Sequence, residues 1–183
     1  ALLVSPKVDG LRAMFHGEPG KDPLIYLEDA KEDRSAQMPD LVAELKGAGV
    51  SYIVEGELCA KAGGKFLARP DILSALAGNV EGAEFRVYLY DILYFNDVDV
   101  HGEPFEDRLD YLKAWKRRVG GGRFVVLPQE VAKSEPALMA AARKALAYQG
   151  PEIEGIVTRV PQMPYSLGST DDYAKTKKWL ELK

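Results

Sequence analysis

"FRVYLYDILYF", Phe85 to Phe95, is the stretch on which the fold turns. It is aromatic and β-branched almost throughout, with a single acid, Asp91, embedded in it, and it is the strongest strand signal in the chain. Upstream, "LRAMFHG" (Leu11 to Gly17) and "PLIYLED" (Pro23 to Asp29) read as two strands joined by the turn "GEPGKDP". "SYIVEGELCA" (Ser51 to Ala60) begins with β-formers and ends in alternating acid and apolar residues. "PDLVAELKGAG" predicts a short helix, with Pro39 in its first turn and Gly47 as its stop, and "RPDILSALAG" repeats that pattern. Downstream, "PFEDRLDYLKAWKRRVGGG" predicts an amphipathic helix closed by glycine, and "EPALMAAARKALAYQG" a second long helix. "RFVVLPQEVA" and "EIEGIVTRV" read as further strands, and a polar loop then runs into a basic strand holding "YAKTK". Helices and strands are interspersed without a regular βαβ alternation, which predicts an α+β fold with mainly antiparallel sheets.

The chain has 183 residues, the size of one domain, and 46% of them are hydrophobic, enough for a real core. No apolar run approaches the roughly 20 residues of a membrane span, and no signal-peptide core is visible. The lone Cys59 excludes an internal disulfide and a cysteine-based zinc site, and fits a reducing, cytoplasmic compartment. A net charge of −4 argues against a surface that grips nucleic acid all over, while leaving room for a local basic groove. Neither GxGxxG nor GxxxxGK[ST] occurs, so a Rossmann or P-loop nucleotide site has no support.

The chemistry-bearing residues start at "KVDGLR", Lys7 to Arg12. A lysine is a nucleophile only as the neutral amine, and its solution pKa of roughly 10.4 must be lowered by burial, nearby positive charge or a divalent metal. Asp9 is near enough in sequence to help arrange such a metal, Gly10 allows close backbone approach, and Arg12 could clamp a phosphate. Glu55 and Glu57 in "EGEL" share a strand face, either solvated or bonded to a ribose or magnesium. Tyr88 and Tyr90 in "YLYDIL" share a face too, as core packing or as a ring stacked on a base. Glu154 stands beside a glycine at the start of "EGIVTR". Lys175 and Lys177 point to one side of the last strand, as a polyphosphate contact or an exposed basic edge. His16 and His101 lack partners at metal-ligand spacing, and the "KAWKRR" helix end reads as favourable charge at a helix C-terminus.

In this order, these elements resemble the nucleotidyltransferase domain of the covalent nucleotidyltransferases: ATP-dependent DNA ligases, RNA ligases and mRNA capping enzymes. "KVDGLR" matches the family's KxDGxR, "YLYDIL" its aromatic-Asp strand, "EGIVTR" its EGxxx followed by a basic residue, here Arg159, and "KTK" its KxK, with "EGEL" as the intervening acid strand. The resemblance spans essentially the whole chain. It implies two mainly antiparallel β-sheets flanked by helices, with the nucleotide pocket between them as in ATP-grasp-like folds. It also implies that residues 1–183 form the adenylylation domain, and that the family's oligonucleotide-binding-fold domain lies outside this chain. The implied activity is that of an ATP-dependent DNA ligase. Lys7 attacks the α-phosphate of ATP to form lysyl-AMP, which passes to the 5′-phosphate of a nick before sealing. An RNA ligase, a capping guanylyltransferase and a non-catalytic nucleotide-binding module are the alternatives. By the same resemblance Arg12 contacts the nucleotide or the nick phosphate, Tyr90 stacks on adenine with Tyr88 in reserve, and Glu57 binds the ribose or a metal. Glu154 and Asp9 would help hold magnesium or manganese, and Lys175 and Lys177 would neutralise the α-phosphate. An arginine that many DNA ligases carry after the second strand falls near Asp29 here, which weakens that contact or shifts it to Arg34. The expected partners are ATP and nicked duplex DNA, the latter held weakly without the further domain, with a monomeric protein and no membrane.

Overall fold

The computed structural model describes residues 1–28, 31–166 and 173–177, the last span by its backbone and the Lys175 side chain. In chain order the elements are β1 (Leu2–Val8), β2 (Leu11–Gly17), β3 (Leu24–Leu27), α1 (Pro39–Leu45), β4 (Tyr52–Ala62), β5 (Lys65–Phe66), α2 (Arg69–Leu76) and β6 (Glu84–Phe95). After these come β7 (Val98–Asp99), α3 (Phe105–Val119), β8 (Phe124–Val126), β9 (Glu130–Ala132), α4 (Glu135–Leu146), β10 (Ile153–Arg159) and β11 (Tyr173–Lys177).

The strands form two sheets. A four-stranded sheet has the order β11-β10-β1-β9, and a seven-stranded sheet the order β3-β2-β4-β6-β7, with β5 on β4 and β8 on β6. Every pairing is antiparallel except the short parallel contact of β8 with β6. The α+β expectation therefore holds, with one addition and one correction. A strand beyond those expected runs from Leu2 to Val8, and Lys7 sits near its end. "RFVVLPQEVA" is not one strand. It crosses between the sheets, β8 joining one and β9 the other, with Pro128, which cannot donate to a ladder, in the crossing.

The main core lies between the seven-stranded sheet and the helices α1, α2 and α3. Phe15, Phe124 and Trp115 meet edge-on there, with ring centroids 5.3 and 5.8 Å apart. Lys116 closes α3, its ammonium donating to the Gly120 and Gly121 carbonyls at 2.6 and 2.9 Å, as a basic helix end should. On the other sheet α4 presents Ala141, Ala142 and Ala145, whose small side chains let it press onto Val4 and Ile156. His16 lies edge-on to Tyr26 and His101 bonds Asp99, both structural arrangements. No helix among the described residues is long and apolar enough to cross a membrane.

One small cluster, around Val8, Cys59, Tyr88 and Leu127, bridges the sheets, and another, made by Leu3, Phe105 and Met163, joins the four-stranded sheet to α3. A cavity opens beside them.

Candidate functional site

The cavity has a volume of about 270 Å³ and takes its walls from both sheets. β1 supplies Lys7, β2 supplies Arg12, β4 supplies Glu55 and Glu57, β6 supplies Tyr90, and β10 supplies Glu154. Lys175 of β11 reaches it as well. Among the described residues, six cationic side chains line the cavity against five acids, in a chain whose overall charge is negative.

Lys7 and Glu154 form an ion pair across the β1–β10 ladder, where Lys7 stands opposite Gly155. Gly10 explains the tight turn that follows. A Cβ there would lie 2.4 Å from the Leu58 carbonyl oxygen, a backbone atom that cannot swing away. With no side chain, the Gly10 amide reaches Glu57 and donates to its Oε1 at 3.2 Å. Burial pushes the Glu57 carboxyl up to about 7, against the opposing pull of that amide and of the Lys7, Arg69 and Lys175 charges.

Glu55 is the hub of the opposite wall. It is 3% exposed and accepts from the Arg12 guanidinium, from the Tyr90 hydroxyl at 3.2 Å and from the Tyr165 hydroxyl at 2.7 Å. Arg12 also donates to the Tyr165 oxygen at 3.1 Å. Beside this hub Asp91 takes a bidentate pair from Arg108, at 2.8 and 3.1 Å, and a longer bond from Arg159 at 3.3 Å. Arg159 further donates to the Tyr90 carbonyl at 3.2 Å.

Of the sequence-predicted residues, Lys7, Arg12, Glu57, Tyr90, Glu154 and Lys175 all line the one cavity. Asp9 does not. The β1–β10 register shifts between Lys7 and Val8, and the Asp9 amide donates to the Glu152 carbonyl at 2.9 Å, leaving the Asp9 charge beside buried Cys59. Tyr88 is also excluded. It packs between Phe66 and Tyr148 in the cluster that bridges the sheets. Arg34 turns to Gln37 and is not a cavity residue, while Asp29 and the Lys177 side chain lie outside the described residues. The backbone of Lys177 pairs with Gly155, one step along the ladder from the Lys7–Glu154 pair.

Sequence reasoning missed the hub role of Glu55 and the cavity residues Glu28, Arg69, Arg108 and Tyr165. For Arg108 a signal existed. It falls on the helical stripe of Phe105, Leu112 and Trp115, an arginine on a core-facing side that demands a buried acid. Among the described residues no three His, Cys, Asp or Glu side chains come together as a ready metal site.

The family model for the ATP dependent DNA ligase domain matches residues 1–183. A DNA ligase of Saccharolobus shibatae is 28% identical over 121 residues, covering 61% of this chain and 20% of the relative. DNA ligase 4 of Aspergillus fumigatus is 36% identical over 97 residues, covering 52% of this chain and 10% of the relative. The chain thus spans a fifth or less of the length of these relatives. Among solved structures, mycobacterial DNA ligase D complexed with ATP superposes with a TM-score of 0.74 at 17% identity, over 97% of this chain and 55% of that one. The ATP-dependent DNA ligase from bacteriophage T7, also with ATP, gives a TM-score of 0.63 at 13% identity, over 96% and 61%. Both share the fold of the two facing sheets.

Proposed function

The chain belongs to the ATP-dependent DNA ligase domain family, and from that premise we propose that it is the adenylylating domain of a DNA ligase with Lys7 as its nucleophile. The observation that carries this reading is the Lys7–Glu154 pair set into the cavity between the two sheets, alongside Arg12, Tyr90 and Lys175. Lys7 sheds a proton, for which Glu154 is the base in contact, and its amine attacks the α-phosphorus of ATP. A P–N bond forms, the bond to the bridging oxygen breaks, and pyrophosphate leaves. Lys175, with Lys177, offsets the charge gathering on the α-phosphate, since phosphoryl transfer is driven chiefly by positioning and charge stabilisation. Tyr90 offers its ring to the base, fixed by its hydroxyl bond to Glu55 and by Arg159 against its face. Arg12, half exposed and anchored on Glu55, presents its remaining guanidinium edge to a phosphate. The AMP then passes to a 5′-phosphate at a nick, breaking the P–N bond, and the 3′-hydroxyl displaces it to close the strand.

Glu57 and Glu154 fit a magnesium or manganese ion only in part. Two cavity carboxylates suffice for a hard cation when substrate phosphates complete its shell, which matches the lack of a preformed cluster among the described residues. Such an ion would neutralise phosphate charge when bound.

The test is the intact mass of the protein before and after ATP with magnesium. Wild type should gain one AMP and lose it on adding pyrophosphate, while Lys7→Ala should gain nothing. An unchanged wild-type mass, or equal labelling of Lys7→Ala, would refute the assignment.

A further inference from the structure

Arg69 opens α2 and reaches the cavity, where its guanidinium pairs with Glu28, the residue after β3. This pair differs from the cavity's other arginine pairs. Arg108 and Asp91 are 2% and 3% exposed, and Arg12 rests on a Glu55 side chain that is 4% exposed. Arg69 and Glu28 are 52% and 45% exposed, so both partners stand at the solvent side of the cavity. An exposed pair of this kind contributes little to stability and exchanges partners cheaply. Glu28 is nevertheless held there with φ of 50°, a left-handed conformation unusual for a residue with a side chain, its amide bonded to the Arg12 carbonyl at 2.7 Å. The Arg69 charge also reaches inward, being one of those that oppose the rise of the Glu57 pKa.

Resting on the ligase reading above, we propose that Arg69 docks an incoming phosphate at the cavity mouth, and that Glu28 occupies it until that phosphate arrives. The ligand is a phosphate monoester, which a guanidinium can take bidentately. Its exposed position assigns the phosphate to the 5′ end of the polynucleotide, which approaches from solvent after Lys7 has been charged. The outer phosphates of ATP share the same chemistry and are the competing source.

The two sides of the pair make opposite predictions. Arg69→Ala removes the docking group. Glu28→Gln removes its competitor and leaves the site open. Both changes are at half-exposed positions, and thermal melts check that each variant folds. Adenylyl transfer is followed in a single turnover from pre-charged protein, without free ATP, to nicked duplexes ending in 5′-phosphate or 5′-hydroxyl, alongside binding of each duplex. Lysyl-AMP formation is measured separately against ATP concentration. Arg69→Ala should lower transfer at limiting duplex by about tenfold or more and erase the preference for the 5′-phosphate, the scale of one charge-assisted contact. Glu28→Gln should raise transfer, and in Arg69→Ala the loss in transfer to the 5′-phosphate should exceed any loss in lysyl-AMP formation. Equal losses in the two variants would mark the pair as a structural clasp and overturn the proposal, as would no change in either. A higher ATP requirement in Arg69→Ala with unaltered transfer would move the phosphate to ATP and overturn the polynucleotide assignment. Wild-type protein that charges but binds both duplexes equally would overturn it too. Wild-type protein that never forms lysyl-AMP would instead refute the ligase reading itself, before any variant is compared.

Discussion

Glu57 shows how one residue carries both the cost and the use of the site. Burial lifts its carboxyl from an ordinary 4.5 to about 7, so over that interval the folded protein binds a proton that the unfolded chain releases. Stability therefore falls as pH rises through this window. The penalty is absent below the unfolded value and complete above the folded one. Glu57→Gln keeps an oxygen for the Gly10 amide and never ionises. The variant should match wild type near pH 4.5 and exceed it at pH 8 by on the order of 1–3 kcal/mol, while forming lysyl-AMP poorly. Urea melts at the two pH values measure this, and parallel pH profiles for the two proteins would refute it. Under the proposed function, the same burial would strengthen the bond of Glu57 to a cation or ribose hydroxyl. The wild-type carboxyl thus costs stability that its amide replacement would not, a cost that the proposed function accounts for.

At the scale of elements, what the sequence made legible and what it hid divide along a physical line. α3 and α4 announce themselves by apolar spacing, β2 and β3 by their turn, and β6 by its aromatic run. The motif residues Lys7, Arg12, Glu57, Tyr90 and Glu154 were legible as an ordered set and do converge. Period-2 reasoning failed where the strands are irregular. In the β4–β6 ladder Glu55 faces Asp91 while the next residue, Gly56, faces Leu89, so Tyr90 is an extra residue on β6. A bulge re-aims side chains locally, and here it brings the consecutive residues Tyr90 and Asp91 both to the cavity, while Tyr90 still packs against the cluster that holds Tyr88. Alternation forbids that outcome and no local motif signals it. Gly56 is the residue that permits it. A Cβ there would lie 2.7 Å from the Tyr88 carbonyl oxygen and 3.1 Å from the Leu89 Cα, both backbone atoms. Gly56→Ala should therefore cost about 1–3 kcal/mol and displace Tyr90, seen as a lower melting temperature together with weaker ATP binding. Loss of stability with unaltered ATP affinity would show that the bulge does not set Tyr90.

The whole molecule is held across its cavity by one charged knot. Asp91 comes from the seven-stranded sheet, Arg108 from the helix behind it, and Arg159 from the four-stranded sheet. Arg108 also donates to the Glu103 and Met163 carbonyls, at 2.6 and 3.0 Å, which ties down the segment leading to Tyr165. A buried ion pair is weak evidence of net stabilisation, but removing one partner strands a charge and costs about 3–5 kcal/mol. Asp91→Asn should lose that much in urea unfolding, whereas Glu28→Gln, at an exposed pair, should lose less than about 1 kcal/mol. A pair exchanged for apolar residues is often nearly neutral, so Asp91→Leu with Arg108→Met would be expected to recover most of the loss were Asp91 serving Arg108 alone. It serves Arg159 too, so the double variant should stay less stable than wild type, and adding Arg159→Met should recover part of the remainder. Full recovery in the double variant would mean that Arg159 contributes nothing to the knot and that the sheets are joined by their apolar clusters only. Because the knot borders the wall that holds Tyr90, the variants at Asp91, Arg108 and Arg159 should also weaken ATP binding, even at temperatures where the protein remains folded.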